Sequence, residues 1–339
     1  MSRLVAIDAR DAFAAQLRGW GRYTDRLVAA MQAAPADDID LLTVERGGHG
    51  PEAVFEQFGL PRLLRRERVD AVHAPNCFLP LRRPCPGVVT VHDLAFEEYP
   101  GDFAPRTRLK YLRLARLAAR SAELVICDVE YTRGDLERRW GVDPERVRVI
   151  PLAPALAHGA ETPPDGPYLL AVGDLREKKN LRRLVEAYVA LRRAGLRHRL
   201  VLVGLDTGEG ELLRDTAAGE PVQLTGYVSD ARLDALMRGA DLLVHPSLYE
   251  GFGFVVLEAM ERGCPVAAAR ATSLPEVAGP AAEYFDPLDV GAIGAAIGAV
   301  VGDRERHAEL AAAGRERAAA FSWERTAAAT FGAYREVLA

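Results

Sequence analysis

Cysteine is scarce in this sequence, and the little there is has no pattern. Its four cysteines, Cys77, Cys85, Cys127 and Cys264, form no CxxC pair and have no histidine at metal-ligand spacing. Neither a disulfide framework nor a structural zinc site fits, and a reducing compartment suits the chain better. Long apolar runs are missing too, since no stretch approaches the ~20 residues of a membrane span. There is no excess of positive charge: 43 Lys and Arg stand against 48 Asp and Glu, a net −5, which argues against a nucleic-acid partner held by general basicity. The opening stretch MSRLVAIDAR reads as a strand rather than a leader peptide. What remains is ordinary globular composition, 49% hydrophobic and 27% charged, over 339 residues, enough for two domains with a core each. A cytoplasmic protein is the resulting expectation.

Short apolar runs recur along the first half, at residues 4–7, 39–44, 69–73, 88–92, 124–127 and 147–150. Helix-like segments separate several of them, the rhythm of a doubly wound parallel sheet. After the first run, a loop containing Gly19, Trp20, Gly21, Arg22 and Tyr23 leads into a helix marked by Leu27, Val28 and Met31. Those glycines either approach an anion or simply let the loop turn tightly. His92 and Asp93 fall at the carboxyl end of a strand, where open α/β sheets take their ligands. His92 can touch a sugar hydroxyl or a phosphate, or be a packed histidine; His73 has the same two readings. Residues 105–120, PRTRLKYLRLARLAAR, form a basic amphipathic helix that contains no acid. Its cationic stripe is either a solvated face over buried leucines or a candidate contact for an anionic membrane or an acidic acceptor.

Residues 151–167 are rich in Pro, Ala and Gly and read as a linker. A second set of strands follows at 168–172, 200–203, 222–224, 240–244 and 265–268. Between the first two, Lys178 and Lys179 stand at a strand-to-helix junction, with Asn180 as a candidate N-cap. Cations beside a helix start can neutralise a diphosphate. Two alanine-rich helices are expected near 289–301 and 303–320, and a final helix from Ser322.

Residues 245–260, HPSLYEGFGFVVLEAM, organise the rest. Glu250 and Glu258 stand eight residues apart, with Gly251 and Gly253 between them and a helix beginning near Phe254. Glycines at a helix start leave backbone N–H groups facing an anion. A carboxylate accepts two hydroxyl hydrogen bonds, as a vicinal diol offers. Acid, anion hole, acid suits a sugar joined through phosphate to a nucleoside. The same letters also describe a glycine-rich helix start with two solvated acids. Thr272 to Glu276 read as a hydroxyl-bearing loop near the same place.

The Gly19–Tyr23 loop, Thr90-Val91-His92-Asp93-Leu94, Lys178-Lys179-Asn180-Leu181, residues 225–230 and above all the E-x7-E pair Glu250 and Glu258 give the chain its likeness. Over nearly its full length it resembles retaining glycosyltransferases of family 4, in the manner of bacterial mannosyltransferases of surface polysaccharide synthesis. The resemblance implies an α/β GT-B fold: two Rossmann-like domains facing across a cleft, with the last helix crossing back. On that basis residues 1–160 with 322–339 would be an acceptor domain and 165–321 a nucleotide-sugar donor domain. It also implies roles. Glu258 would bind the donor ribose, and Glu250 the sugar hydroxyls. Gly251, Phe252, Gly253 and Phe254 would offer backbone N–H groups to sugar and phosphate. Lys179 would neutralise the leaving diphosphate, His92 would contact the sugar, and Gly19 and Gly21 would lie against the diphosphate. One departure matters: many relatives carry an arginine where this chain has Asp174, so the second cation would be Lys178 or Arg176, with Lys178 favoured.

The expected reaction moves a hexose from a nucleotide diphosphate sugar to a glycan or lipid-linked hydroxyl with retention. GDP-mannose is the first candidate donor, ahead of UDP-glucose and UDP-N-acetylglucosamine. No cofactor and no essential metal are expected, since lysine supplies the charge. Two alternatives stay open: a GT-B epimerase or phosphorylase, and a non-catalytic sugar-nucleotide-binding partner of another transferase.

Overall fold

The structure, a computed structural model, describes residues 2–13, 19–45 and 52–339. The chain divides into two compact units, Met1–Ala155 with Ser322–Ala339, and Leu156–Phe321. The boundary falls inside the Pro- and Ala-rich segment, which has neither helix nor strand from residue 150 to 164.

The first unit is a six-stranded parallel sheet of β1 (Arg3–Asp8), β2 (Ile39–Val44), β3 (Ala71–Ala74), β4 (Gly87–Thr90), β5 (Leu124–Cys127) and β6 (Val147–Val149). Their order is β2-β1-β3-β4-β5-β6. Strands β3, β4 and β5 are buried along their whole length, as strands covered on both faces must be. The helix Gly19–Ala33 buries Tyr23, Leu27, Val28 and Met31 against the sheet. Gly19 and Gly21 therefore belong to the first turn of this helix rather than to a loop; residues 14–18 of the expected loop lie outside the described residues.

The last helix, Trp323–Leu338, belongs to this unit. Its Tyr334 hydroxyl meets His73 Nδ1 at 2.7 Å, and His73 Nε2 meets Thr90 Oγ1 at 2.8 Å. Trp323 Nε1 donates to the Pro154 carbonyl at 2.9 Å, and the Thr326 hydroxyl to that of Pro151 at 2.7 Å. Burial pushes His73 down to about 3, with His92 adding to the effect, so His73 stays neutral. Of its two readings, His73 takes the packed one.

The basic segment departs from one regular helix. Helical turns at Pro105–Lys110 and Arg116–Ser121 flank a wider π-helical turn at Tyr111–Ala115. Leu109 and Leu117 are exposed, 48% and 50%, whereas Leu112 and Leu114 pack partly buried against the core.

The second unit repeats the plan with β7 (Tyr168–Val172), β8 (Arg199–Val203), β9 (Val222–Leu224), β10 (Leu242–His245), β11 (Val266–Ala269) and β12 (Glu283–Phe285). Their order is β12-β11-β10-β7-β8-β9, all parallel. The chain starts in the middle at β7, winds outward through β8 and β9, and resumes on the other side at β10. The strand order thus reverses between β7 and β10, and in the first unit between β1 and β3. Such switch points, at the carboxyl ends of the strands, open a crevice for ligands.

Candidate active site

Lys179 and Glu250 reach each other from the two strands that flank the second unit's switch point. After β7 the chain passes Gly173 and a short 3₁₀ turn, Glu177–Lys179, before the helix Leu181–Arg193. After β10 it passes Pro246 to Glu250 and reaches the helix Phe254–Glu261. Lys179 Nζ lies 2.5 Å from Glu250 Oε1, and His245 Nε2 lies 2.9 Å from the same oxygen. Burial alone would push the Glu250 carboxyl up. The Lys179 ammonium, the His245 hydrogen bond and the nearby Lys178 charge outweigh it and hold the group well below the usual carboxylate range. Glu250 is only 8% exposed, yet ionised.

The backbone is arranged to bring these groups together. Gly173 has φ +148, and a Cβ there would sit 2.8 Å from Lys179 Cε, so the lysine stem lies across a position open only to glycine. The Lys178 carbonyl accepts the Leu248 N–H at 2.8 Å, tying the two loops together. Asn180 is not the side-chain cap expected: it is left-handed, φ +54, and its amide donates to the carbonyls of Pro246 and Pro287 at 3.0 and 2.7 Å. It fastens the lysine turn to the Glu250 loop instead. The segment after β11 closes the other side. The Glu250 N–H donates to Thr272 Oγ1 at 3.0 Å, and the Ser273 hydroxyl to the carbonyls of Glu250 and Phe252 at 3.0 and 3.3 Å. Thr272 holds φ +47, rare for a β-branched residue. The hydroxyl-bearing stretch is part loop and part helix, which begins at Leu274.

Gly251 and Phe252 are buried, and Gly253, φ +94, starts the helix that carries Phe254 and Glu258. Glu258 is 4% exposed, and its Oε1 accepts the Leu156 N–H at 3.0 Å. The fully buried Arg262 side chain, one turn on, donates to the Leu156 carbonyl at 2.9 Å and to Asp234 Oδ1 at 2.7 Å. Neither glutamate is a solvated surface acid. At the position where an arginine is common, Asp174 accepts the Leu205 N–H at 3.2 Å and lies 3.6 Å from Arg176. Arg176 is therefore engaged locally, whereas the Lys178 ammonium makes no hydrogen bond or ion pair among the described residues.

His92, Gly19 and Gly21 lie in the first unit. His92 Nε2 donates to the Pro75 carbonyl at 3.1 Å, and Nδ1 meets Asp128 Oδ2 at 2.7 Å. Burial would lower the imidazole; the Asp128 charge and hydrogen bond overcome it and raise it above its ordinary value. Trp20 stacks beside His92 at 6.2 Å between rings, and Tyr23 meets it edge-on at 4.6 Å. His245, Asp128 and Asn180's bridging role were not read from the sequence. The His-Pro-Ser before Glu250 was in view, but nothing in its spacing says that the histidine turns back onto the acid.

Comparison with known proteins fits this geometry. Residues 157–317 match the family described as Glycosyl transferases group 1, and residues 34–153 match Glycosyltransferase Family 4. An O-antigen chain mannosyltransferase B of Escherichia coli is 32% identical over 78% of this chain and 73% of its own length. The chain is a glycosyltransferase of family 4. A relative from Mycolicibacterium hassiacum, an MMP alpha-(1->4)-mannosyltransferase, is 29% identical over 88% of this chain and 79% of its own. Among solved structures, a sucrose-phosphate synthase from Thermosynechococcus elongatus superposes with a TM-score of 0.76 at 22% identity, covering 99% of both chains. That likeness establishes the GT-B fold that family 4 implies. Among the described residues, no helix is long and apolar enough to cross a membrane.

Proposed function

We propose that this glycosyltransferase moves a hexose, with mannose first among the candidates, from a nucleotide diphosphate sugar to an acceptor hydroxyl with the anomeric configuration retained. The observation that carries the reading is the Lys179–Glu250–His245 cluster at the switch point of the second unit. A buried, ionised Glu250 can accept sugar hydroxyls, and Glu258, one helix turn beyond Phe254, is the acceptor for the ribose diol. Lys179, with Lys178 beside it, supplies fixed positive charge where the departing diphosphate gathers negative charge. That is stabilisation aimed at the transition state. The freed phosphate oxygen then takes the acceptor proton on the same face, so no protein nucleophile is required. The relatives named as mannosyltransferases support mannose as the sugar, and one named as a GDP-mannose-dependent mannosyltransferase of Mycobacterium tuberculosis, 35% identical over 49% of this chain, supports GDP as its carrier.

We place the protein in the cytoplasm, with the exposed Arg113, Arg116 and Arg120 beside Leu109 and Leu117 as the surface for an anionic bilayer. Exchanging these arginines for glutamate is expected to weaken sedimentation with phosphatidylserine-containing vesicles by about 1 kcal/mol per residue; unchanged sedimentation would remove the surface from the account. The test of the reaction is release of nucleoside diphosphate from GDP-mannose, with and without acceptor glycan. Turnover is expected in both conditions, slow hydrolysis without acceptor. Binding without any release would make the protein a non-catalytic partner.

A further inference from the structure

The first unit has its own switch point, between β1 and β3, and a cavity of about 420 Å³ stands there. Asp11, three residues after β1, and Asn76, two after β3, both line it. This is the place where an open α/β sheet takes a ligand, and the volume falls within the roughly 300–1,000 Å³ of small-molecule sites. The remaining wall combines the rings of Trp20, Phe78 and Tyr111 with the charged groups of Glu52, Arg106 and Lys110. Trp20 and Tyr111 meet edge-on at 5.4 Å, and Phe78 packs against Tyr111 at 4.9 Å.

We infer that this cavity is a saccharide subsite that holds a neutral pyranose ring of the acceptor, resting on the Trp20–Tyr111 wall with its hydroxyls on Asp11 and Asn76. The inference rests on the reading of the protein as a sugar transferase and extends it to the second substrate. Charge decides between a sugar and an anionic headgroup. Two carboxylates, Asp11 and Glu52, face the cavity. Lys110 is occupied: its ammonium lies 3.3 Å from Glu52 and from Glu56, and 3.9 Å from the centre of the Phe78 ring. Arg106 is left as the cation without an ion pair among the described residues. With Lys110 and Glu52 paired, a phosphate would face Asp11 for the one unengaged cation, Arg106, and find no net positive field, whereas a polyol meets acceptors, donors and an apolar wall together.

The polar groups are also pre-set. Asn76 is 3% exposed; its Oδ1 accepts the Phe78 N–H at 3.4 Å and its side chain hydrogen-bonds Asp11, which leaves carboxylate lone pairs for hydroxyl donors. The Tyr111 hydroxyl has no hydrogen bond among the described residues. The apolar C–H face of a pyranose covers an aromatic ring while its edge hydroxyls reach such groups. Trp20 is shared between this wall and His92, so a ring bound here lies beside the histidine.

The test uses the full chain, without donor, and saturation-transfer NMR with the methyl α-glycosides of mannose, glucose and galactose. At least one glycoside is expected to bind. Its Kd should rise about tenfold in Asp11→Asn, the scale of a hydrogen bond to a charged group, and severalfold in Tyr111→Phe, which removes only the hydroxyl. Trp20→Ala should abolish the signal. Each variant's melting curve confirms that it folds. Binding that ignores Asp11→Asn and Tyr111→Phe overturns the inference. So does failure of all three glycosides to bind, and so does displacement of the glycoside by inorganic phosphate that Arg106→Ala abolishes. Thermal shift with nucleotide sugars is read separately on the same samples and should be equal in wild type and Asp11→Asn. Glycosides that bind while no nucleotide sugar does would refute the transferase reading and leave the saccharide subsite standing.

Discussion

Each unit has a histidine at or just past the carboxyl end of a strand, facing a buried carboxylate, and the two pairs behave in opposite ways. In the first unit His92 meets Asp128 at 2.7 Å, and Asp128 Oδ1 has no hydrogen-bond partner among the described residues. In the second, His245 meets Glu250 at 2.9 Å, and Lys179 meets the same oxygen. Burial pushes both carboxyls up. Asp128 stays raised because burial, with the Asp93 charge adding to it, outweighs His92, whereas Glu250 falls well below its ordinary value because a permanent cation joins the histidine. A titratable partner shares a proton; a lysine fixes a charge. The first arrangement suits a group that orients a neutral hydroxyl, and the second a group that must stay negative beside a diphosphate.

The largest expected effect comes from erasing that difference. Lys179→Ala should lower kcat at saturating donor on the order of 10²-fold or more, the scale of removing one preorganised donor. It should also move the Glu250 carboxyl upward, toward the behaviour of Asp128, as read by carbon-13 NMR. Full turnover would show that the leaving-group role belongs elsewhere.

Next is Glu258, the acid that accepts the Leu156 N–H. Glu258→Gln should weaken donor binding by roughly 1.5–3 kcal/mol, measured by calorimetry, with a smaller loss of kcat than Lys179→Ala. A smaller change in donor Kd than Lys179→Ala causes would reverse their assigned roles.

Asp128→Asn probes the other pair through pH. The folded pKa of His92 is raised, so its contribution to stability is complete below the unfolded value of about 6.5 and is lost as pH climbs through the folded value. Urea midpoints of the wild type should therefore fall across that window; in Asp128→Asn burial is left as the main influence on His92, so the fall should shrink or turn into a rise with pH. Identical profiles would mean that Asp128 does not hold the proton on His92. The smallest effect concerns metal: with lysine supplying the charge, excess EDTA should leave turnover unchanged, and loss restored by a divalent cation would replace lysine with a metal in the account.

Much of the second unit's site was legible because its parts are local. Glu250, the glycines and Glu258 share one turn and one helix, and the lysine pair precedes a clear helical face. What stayed hidden depends on chain segments meeting through the sheet. Asn180 looks like a cap in one dimension, but its left-handed backbone turns the amide toward Pro246 and Pro287. His245 reads as the end of a buried strand until the Glu250 loop folds back on it. The cavity at Asp11 and Asn76 joins residues from two strands adjacent only in the sheet order. The basic stretch departs from one regular helix for another reason: a π-helical turn is inserted at Tyr111–Ala115, and no periodicity marks the place.

A thermal-shift panel of nucleotide sugars on wild type and Glu258→Gln tests the central claim most directly. The account predicts a selective rise in Tm with one donor, GDP-mannose first, and a much smaller rise in the variant. No rise with any nucleotide sugar, or a rise that Glu258→Gln leaves intact, would contradict it.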